Sequence, residues 1–157
     1  MKPNPAAQPV AVTRRRLMLI AAFSFGPVAR AVDNPDAPDL SAAFLARAQP
    51  LEERLSQASR TSDIAAAGLA YAKFLDAELN KTYQELVARV GDSSTRRALV
   101  QSQREWLRFR DAEHRFIERN WTPQNFGTSY ALSRAGYRHR LVKQRVLTLL
   151  AYLQNYP

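Results

Sequence analysis

The fold of this chain is decided by residues 69–119, which read LAYAKFLDAELNKTYQELVARVGDSSTRRALVQSQREWLRFRDAEHRFIER. In the first part of this stretch, large side chains recur every three or four residues, a spacing that places them on one face of an α-helix. These side chains are Tyr71, Leu75, Leu79, Tyr83, Leu86 and Val90. The pattern stops at Gly91, and we expect this glycine to end the helix in the left-handed conformation that other residues avoid.

A second helix is expected immediately afterwards. Asp92, Ser93 and Ser94 each offer a side-chain oxygen to the free N–H groups at a helix start. The inward positions of this helix form a stripe in which polar side chains interrupt apolar ones: Leu99, Gln103, Trp106, Arg110, His114 and Ile117. The two segments are therefore predicted to form an antiparallel helical hairpin.

The first helix carries a polar stripe of its own, at the same spacing of four and three residues. Folding the chain back on itself places Asp76 opposite Arg110. We predict an ion pair between them, because a partly buried charge is tolerated only when it is paired. We expect this pair to be of structural rather than functional importance. The other polar positions should meet in the same way, with Asn80 and Tyr83 near Gln103 and Trp106.

Two motifs lie within this hairpin, Asp-x-Glu-Leu-Asn-x-x-Tyr-x-x-Leu at 76–86 and Gln-Arg-x-Trp-Leu-x-Phe-Arg-Asp at 103–111. They resemble the LprI-type family of lysozyme inhibitors of the bacterial envelope. The positions that carry the resemblance are Asp76, Glu78, Leu79, Asn80, Tyr83, Gln103, Trp106, Arg110 and Asp111. The resemblance implies a protein without enzymatic activity that binds a lysozyme or related muramidase and blocks its cleft.

The chain departs from this family in its cysteines. Family members usually carry them, whereas this sequence has none. His114 and Ala67 stand where the resemblance implies cysteines, so the family's disulfides cannot form here. Packing alone must therefore stabilise the fold, and thiolate metal sites are excluded.

Residues 1–31 read as an export signal. Three arginines at 14–16 precede an apolar run at 17–25, and Ala-Arg-Ala at 29–31 fits a cleavage site. The apolar run is too short to cross a bilayer, so we expect a periplasmic or secreted protein with no membrane span after cleavage. The arginines also fit the twin-arginine export pattern, and both export routes stay open.

The charge of the chain argues against nucleic-acid binding. Lys and Arg total 23, and Asp and Glu total 14. The segment 1–31 holds five of the basic residues and no acidic one, so its removal leaves 18 basic against 14 acidic residues, a net charge of +4. Such scattered charges lack the dense basic face that a phosphate backbone requires.

The rest of the chain completes an α-helical domain. A Pro-rich flexible leader is expected at 32–39. It is followed by helical sequence in which Pro50 either opens a second piece or kinks one continuous helix. We predict an all-α bundle of three long helices plus one or two short N-terminal helices, as a single domain over 40–157. The last helix should span 130–154 and bury Leu132, Ala135, Val142, Val146, Leu149 and Leu153.

The connection at 120–129 is the candidate binding segment, because it holds two large aromatic residues in a link longer than most between bundled helices. Two alternatives are open for these rings. They pack down as a lid on the bundle, or they point outward as anchors for a partner. The candidate partner-binding residues are Trp121, Pro123, Asn125, Phe126 and Gly127.

No catalytic or metal-binding residue is predicted, and no cofactor. His114 and His139 lie on different predicted helices without the spacing of a metal pair. Asp76 and Glu78 are two residues apart on a helix and point in different directions, which excludes the paired carboxylates of a glycosidase.

Two other functions use the same scaffold: an immunity or adaptor protein against a periplasmic toxin, and a peptidoglycan-binding envelope protein. The resemblance also raises an electrostatic difficulty, because many lysozymes are strongly cationic and a partner of net charge +4 is not attracted to them. A local acidic patch would compensate, formed for example by Asp33, Asp36, Asp39, Glu52 and Glu53. The identity of the bound enzyme does not follow from the sequence.

Overall fold

The computed structural model describes residues 38–156 of the chain. These residues contain helices and no strand, which confirms the predicted all-α class. The longer helices are α1 (Leu40–Gln57), α2 (Thr61–Arg89), α3 (Ser93–Asn120) and, after a short connection, α5 (Tyr130–Leu153). A one-turn helix α4 (Pro123–Phe126) and a 3₁₀ turn (Gly127–Ser129) form that connection. The export signal and the leader up to residue 37 lie outside the described residues and stay predictions.

Two aspartates start helices. Asp39 Oδ1 accepts from the backbone N–H of Ala42 at 2.8 Å, where α1 begins. Asp92 accepts from the N–H of Thr95 at 2.6 Å, which confirms that α3 begins where the sequence supplies capping side chains. α1 continues through Pro50 as one helix, so the proline does not open a second piece.

The predicted left-handed ending at Gly91 is wrong. Within residues 38–156, Gly127 is the residue with a positive φ angle. The chain leaves α2 through Val90 in an extended conformation, with φ −68° and ψ 105°. The guanidinium of Arg96 donates to the Val90 carbonyl at 2.8 and 3.2 Å. An arginine side chain therefore pairs a backbone carbonyl at the end of α2, and no left-handed glycine is needed there.

The core is an apolar seam between α2 and α5, covered on one side by α1. The two helices run parallel, since Gly68 lies beside His139 near one end and Arg89 donates to the Tyr156 carbonyl, 3.2 Å away, at the other. The buried members are Phe44 and Ala48 of α1, Tyr71, Leu75, Leu79 and Leu86 of α2, and Val142, Val146, Leu149 and Leu153 of α5. The predicted α5 stripe is confirmed in its last four positions, but Leu132 is exposed.

α3 packs less closely than the predicted hairpin requires. Gln103 and Ile117 are its buried residues, while Leu99 and Trp106 reach the core only in part. The extensive partner of α2 is α5 rather than α3. Sequence neighbours joined by a tight turn are therefore not the closest neighbours in space over most of their length.

The predicted Asp76–Arg110 ion pair is consequently wrong. Arg110 donates to Asp111 on its own helix at 2.8 and 3.0 Å, and its guanidinium lies 5.8 Å from the Trp106 ring centroid. Asp76 is exposed on α2 without an ion-pair partner among residues 38–156. Gln103 likewise turns to α5, where Arg145 donates to its side-chain oxygen at 3.0 Å. Because α5 occupies the neighbouring position, the polar stripe of α3 serves α5 and α3 itself.

One polar network joins three helices across the seam. Lys143 Nζ donates to Glu52 at 2.7 Å, and the Tyr71 hydroxyl donates to the same carboxylate oxygen. Burial acts to raise the pKa of Glu52, but the hydrogen bonds from Lys143 and Tyr71 outweigh it and lower that pKa. The network fixes α1 and α5 against α2 and removes Glu52 from any free acidic surface.

Replacement of Leu75 by Ala tests the seam as the source of stability. The side chain is 1% exposed, so its loss should lower the free energy of unfolding by about 2–5 kcal/mol. Leu69→Ala on the same helix is the matched control, because Leu69 is 59% exposed and should change stability by less than about 0.5 kcal/mol. Chemical denaturation measures both. Equal losses would show that the core lies elsewhere.

Candidate aromatic and cleft sites

The connection between α3 and α5 is built from ordered turns. Thr122 Oγ1 accepts from the N–H of Asn125 at 3.4 Å, and Pro123 occupies the first turn of α4, where its missing N–H costs nothing. Gly127 follows with φ +56°, a conformation in which a Cβ would be strained. The segment predicted as a loop is therefore a compact pair of turns whose geometry depends on that glycine.

Arg134 of α5 fixes this connection to the end of α3. Its Nε donates to the carbonyl of Trp121 at 2.7 Å, and its Nη2 donates to the carbonyl of Glu118. The same guanidinium lies over the Tyr130 ring, 5.0 Å from the centroid. One arginine thus satisfies carbonyls that the end of α3 leaves free and holds the entry to α5 against them.

Four rings meet around Trp121, and we call Phe116, Trp121, Phe126 and Tyr137 the aromatic cluster. The Trp121 ring centroid lies 6.1 Å from that of Phe116, 5.8 Å from that of Phe126 and 4.3 Å from that of Tyr137. Trp121 is half-buried, whereas Phe116 is 55% exposed, Phe126 42% and Tyr137 40%. The inner ring packs and the outer rings face solvent, so each of the two predicted alternatives describes part of the cluster.

The surroundings of the cluster are polar and basic. The other predicted partner-binding residues, Pro123, Asn125 and Gly127, are exposed, as a binding role requires. The Arg140 guanidinium lies 5.4 Å from the Tyr137 ring centroid, and Arg140 has no carboxylate partner within residues 38–156. An apolar surface with a free cation at its edge is typical of a site for a protein partner.

A cleft of about 560 Å³ lies between the first halves of α2 and α5. Its walls are mainly small or apolar, because this part of the seam carries alanine and glycine where the rest carries leucine and valine. The 3₁₀ turn closes one side through Thr128 and Ser129. The apolar lining includes Leu55, Ile64, Ala65, Leu69, Ala72, Leu75, Ala131, Leu132, Ala135 and Val142.

Four titratable side chains also line the cleft: Asp76, His114, Arg138 and His139. Three buried nitrogens among them have no hydrogen-bond partner within residues 38–156, namely His114 Nε2, Arg138 Nε and His139 Nδ1. Buried polar atoms are normally paired, so three in one cavity mark a site with unused binding capacity. Arg138 is otherwise engaged, because its Nη2 forms an ion pair with Glu118.

Both imidazoles are held in their neutral form near pH 7. Burial lowers the pKa of His139, and the Gly68 backbone and Asp76 oppose it only in part. Burial lowers the pKa of His114 as well, helped by the positive charges of Arg138 and Arg110. The cleft therefore offers neutral imidazole nitrogens rather than two more cations.

Comparison with known proteins identifies the family. The family model described as "Lysozyme inhibitor LprI" matches residues 52–149. The chain belongs to the LprI lysozyme inhibitor family. The match covers both motifs of α2 and α3, the aromatic cluster and the cleft, and it confirms the resemblance seen in the sequence. No curated protein and no solved structure matches the chain significantly.

The LprI motif residues do not form one site. Leu79 is buried in the seam, Glu78 is bonded to Arg47 of α1 at 2.7 and 3.2 Å, and Asn80 is exposed. Two guanidinium groups lie over the Trp106 ring, that of Arg145 at 5.6 Å and that of Arg110 at 5.8 Å from the ring centroid. The structure brings only Asp76 to the cleft, so most of the motif positions helices rather than a ligand.

Sequence reasoning missed most of the side chains that make the two sites. Phe116 and Tyr137 lie on the helices that flank the connection, and no sequence pattern singled out Arg138. A useful signal was present at Gly68, where an added Cβ would lie 3.8 Å from His139 Cε1. A glycine in mid-helix is costly and indicates a close neighbour.

Residues 38–156 hold no group of three His, Cys, Asp or Glu side chains placed to bind a metal ion. No helix within them is both long and apolar enough to cross a membrane.

The buried imidazoles predict a dependence of stability on pH. Their folded-state pKa values lie below the ordinary 6.5, so the unfolded chain takes up protons first as the pH falls. This contribution to stability is complete above pH 6.5 and is lost as the pH falls toward and through the lower folded values. The free energy of unfolding, measured by denaturation from pH 7.5 to pH 5.5, should decrease. His139→Phe keeps a ring against Tyr71 and should flatten that decrease; an unchanged slope would contradict the assignment.

Proposed function

We propose that this LprI-family protein is an exported inhibitor that binds a lysozyme or related muramidase and blocks the substrate cleft of that enzyme with its aromatic cluster. Family membership supports the enzyme class, and the exposed rings of Phe116, Phe126 and Tyr137 support the contact surface. The protein acts by occupying the cleft, so its own chemistry requires no catalytic residue.

The connection is suited to this role because it is already ordered. The contacts of Arg134 with Trp121 and Glu118, and the packing of Trp121 between its neighbours, hold the outer rings in place before any partner arrives. A surface that is fixed in advance loses little conformational entropy on binding. Large rings around a partly buried tryptophan are also the side chains that dominate binding energy at protein interfaces.

A net charge of +4 does not attract a cationic lysozyme, but charges at the contact itself can. The active clefts of glycosidases carry two carboxyl groups, whatever the charge of the whole enzyme. Arg140 at the edge of Tyr137 is a cation that such a cleft attracts. Two members of the acidic patch suggested from the sequence are already engaged, because Asp39 caps α1 and Glu52 is bonded to Lys143 and Tyr71. Asp33 and Asp36 lie outside the described residues.

The predicted export signal at 1–31 supports a periplasmic or secreted setting, where a muramidase and its inhibitor meet. The immunity and peptidoglycan-binding alternatives have no contact or comparison in their favour. A lysozyme inhibitor is therefore the function that the family and the surface support together.

Substitutions in the aromatic cluster should weaken inhibition without unfolding the protein. Phe126→Ala and Tyr137→Ala should each raise the inhibition constant against a sensitive muramidase by about 5- to 30-fold, the usual effect of a central interface ring. Tyr152→Ala is the matched control, since Tyr152 is an equally exposed tyrosine at the far end of α5. Inhibition is measured on cell-wall substrate, and thermal unfolding confirms that each variant is folded.

Two results would contradict the proposal. Failure of the purified protein to inhibit any member of a broad lysozyme panel would remove the function. Inhibition that falls equally in Tyr137→Ala and Tyr152→Ala would keep the function but place the contact away from the aromatic cluster.

A further inference from the structure

The cleft between α2 and α5 holds one negative charge that the protein does not compensate. Its charged side chains are Asp76 and Arg138, and Arg138 is already engaged in an ion pair with Glu118. Asp76 has no such partner within residues 38–156. The imidazoles add no charge near pH 7, because burial keeps both neutral. By charge balance, the cleft favours a cation.

The unpaired nitrogen of His139 also favours a cationic ligand. Burial keeps the His139 imidazole neutral near pH 7, and its Nδ1 is buried without a hydrogen-bond partner within residues 38–156. In a neutral imidazole one of the two nitrogens is an acceptor. The Asp76 carboxylate and the His139 imidazole, which both line the cleft, thus supply acceptors that suit an N–H donor carrying positive charge.

The apolar walls of the cleft suit the aliphatic part of such a ligand. Leu69 and Leu132 are more than 40% exposed at the cleft, although side chains of this type are usually covered. An aliphatic stem would cover them while its charged head reaches the polar groups, as the stems of lysine and arginine do on apolar surfaces. The cavity of about 560 Å³ has room for one such side chain and part of its neighbours.

We propose that this cleft binds a primary ammonium or guanidinium group on an aliphatic stem, and that it takes a lysine or arginine side chain of the target muramidase in the inhibitory complex. The second half of this statement rests on the proposed function. The two sites adjoin along the chain, because Phe126 of the aromatic cluster is two residues before Thr128 of the cleft, and Tyr137 of the cluster is followed by Arg138 of the cleft. One partner can therefore engage both sides of the connection.

The cleft is tested directly with n-hexylammonium, a stem with one cationic head, and with 1-hexanol as its neutral counterpart. Binding to the purified protein is followed by NMR through the backbone signals of Gly68, Leu132 and His139. Hexylammonium should give saturable shifts at these residues, and hexanol should bind several-fold more weakly. Absence of saturable shifts, or equal affinity for the two probes, would overturn the proposal.

Asp76→Asn then identifies the group that recognises the charge. It should weaken hexylammonium binding about three- to tenfold and leave hexanol binding unchanged, the range for a charged pair in a partly exposed site. Asp63→Asn is the matched control, because Asp63 is another exposed aspartate of α2 that lies outside the cleft. Hexylammonium affinity that is unaffected by Asp76→Asn, or equally lowered by Asp63→Asn, would overturn the assignment.

The same variants separate this inference from the proposed function. A protein that inhibits a muramidase but does not bind hexylammonium keeps the proposed function and loses the cation site. A protein that binds hexylammonium through Asp76 but inhibits no muramidase keeps the site and loses its proposed occupant. If both hold, Asp76→Asn should also raise the inhibition constant, whereas Asp63→Asn should not.

Discussion

The apolar seam between α2 and α5 is the constraint on which the rest of the structure depends. The chain contains no cysteine, so covalent cross-links cannot hold the helices of this family member together. Burial of Leu75, Leu86 and Leu149 along two parallel helices supplies the stability instead. α1 closes one side of the seam, and the Glu52 network fixes its position against both helices.

The same seam creates the cleft. Where its side chains are large, as at Leu86, Val146 and Leu149, they are almost fully buried between the helices. Where they become alanine and glycine, as at Ala65, Gly68 and Ala135, the packing is incomplete and an open cavity remains. Polar groups from α3 and α5 line that cavity. The contact between α2 and α5 thus stabilises the fold in one half of the helix pair and forms the proposed binding cleft in the other half.

Much of the fold could be predicted because it depends on local sequence. Apolar periodicity located the helices, and Asp92 marked the start of α3, since both signals act within a few residues. The partner of each helix face could not be predicted in this way. Periodicity shows that Asp76 and Arg110 lie on polar stripes, but it does not show that α5 occupies the position beside α2. The ending at Gly91 failed for the same reason, because Arg96, beyond the turn, satisfies the Val90 carbonyl.

The candidate sites were harder to predict because each joins separate elements. The sequence singled out Trp121 and Phe126, which are close along the chain, but Phe116 and Tyr137 reach them from two different helices. The cleft collects Asp76, His114 and His139 from three helices, and no spacing in the sequence relates them. Tertiary packing decides which of these residues meet, so the sites follow from the fold rather than from a motif.

Hydrogen–deuterium exchange of the complex tests most directly whether a muramidase binds at the aromatic cluster. The exchange of the purified protein would be compared with and without a saturating amount of a muramidase that it inhibits. Slower exchange should be confined to the end of α3, the connection at 121–129, the first half of α5 and the first half of α2 that lines the cleft, while α1 is unchanged. Protection centred on α1, or absent from the connection, would contradict binding through the aromatic cluster.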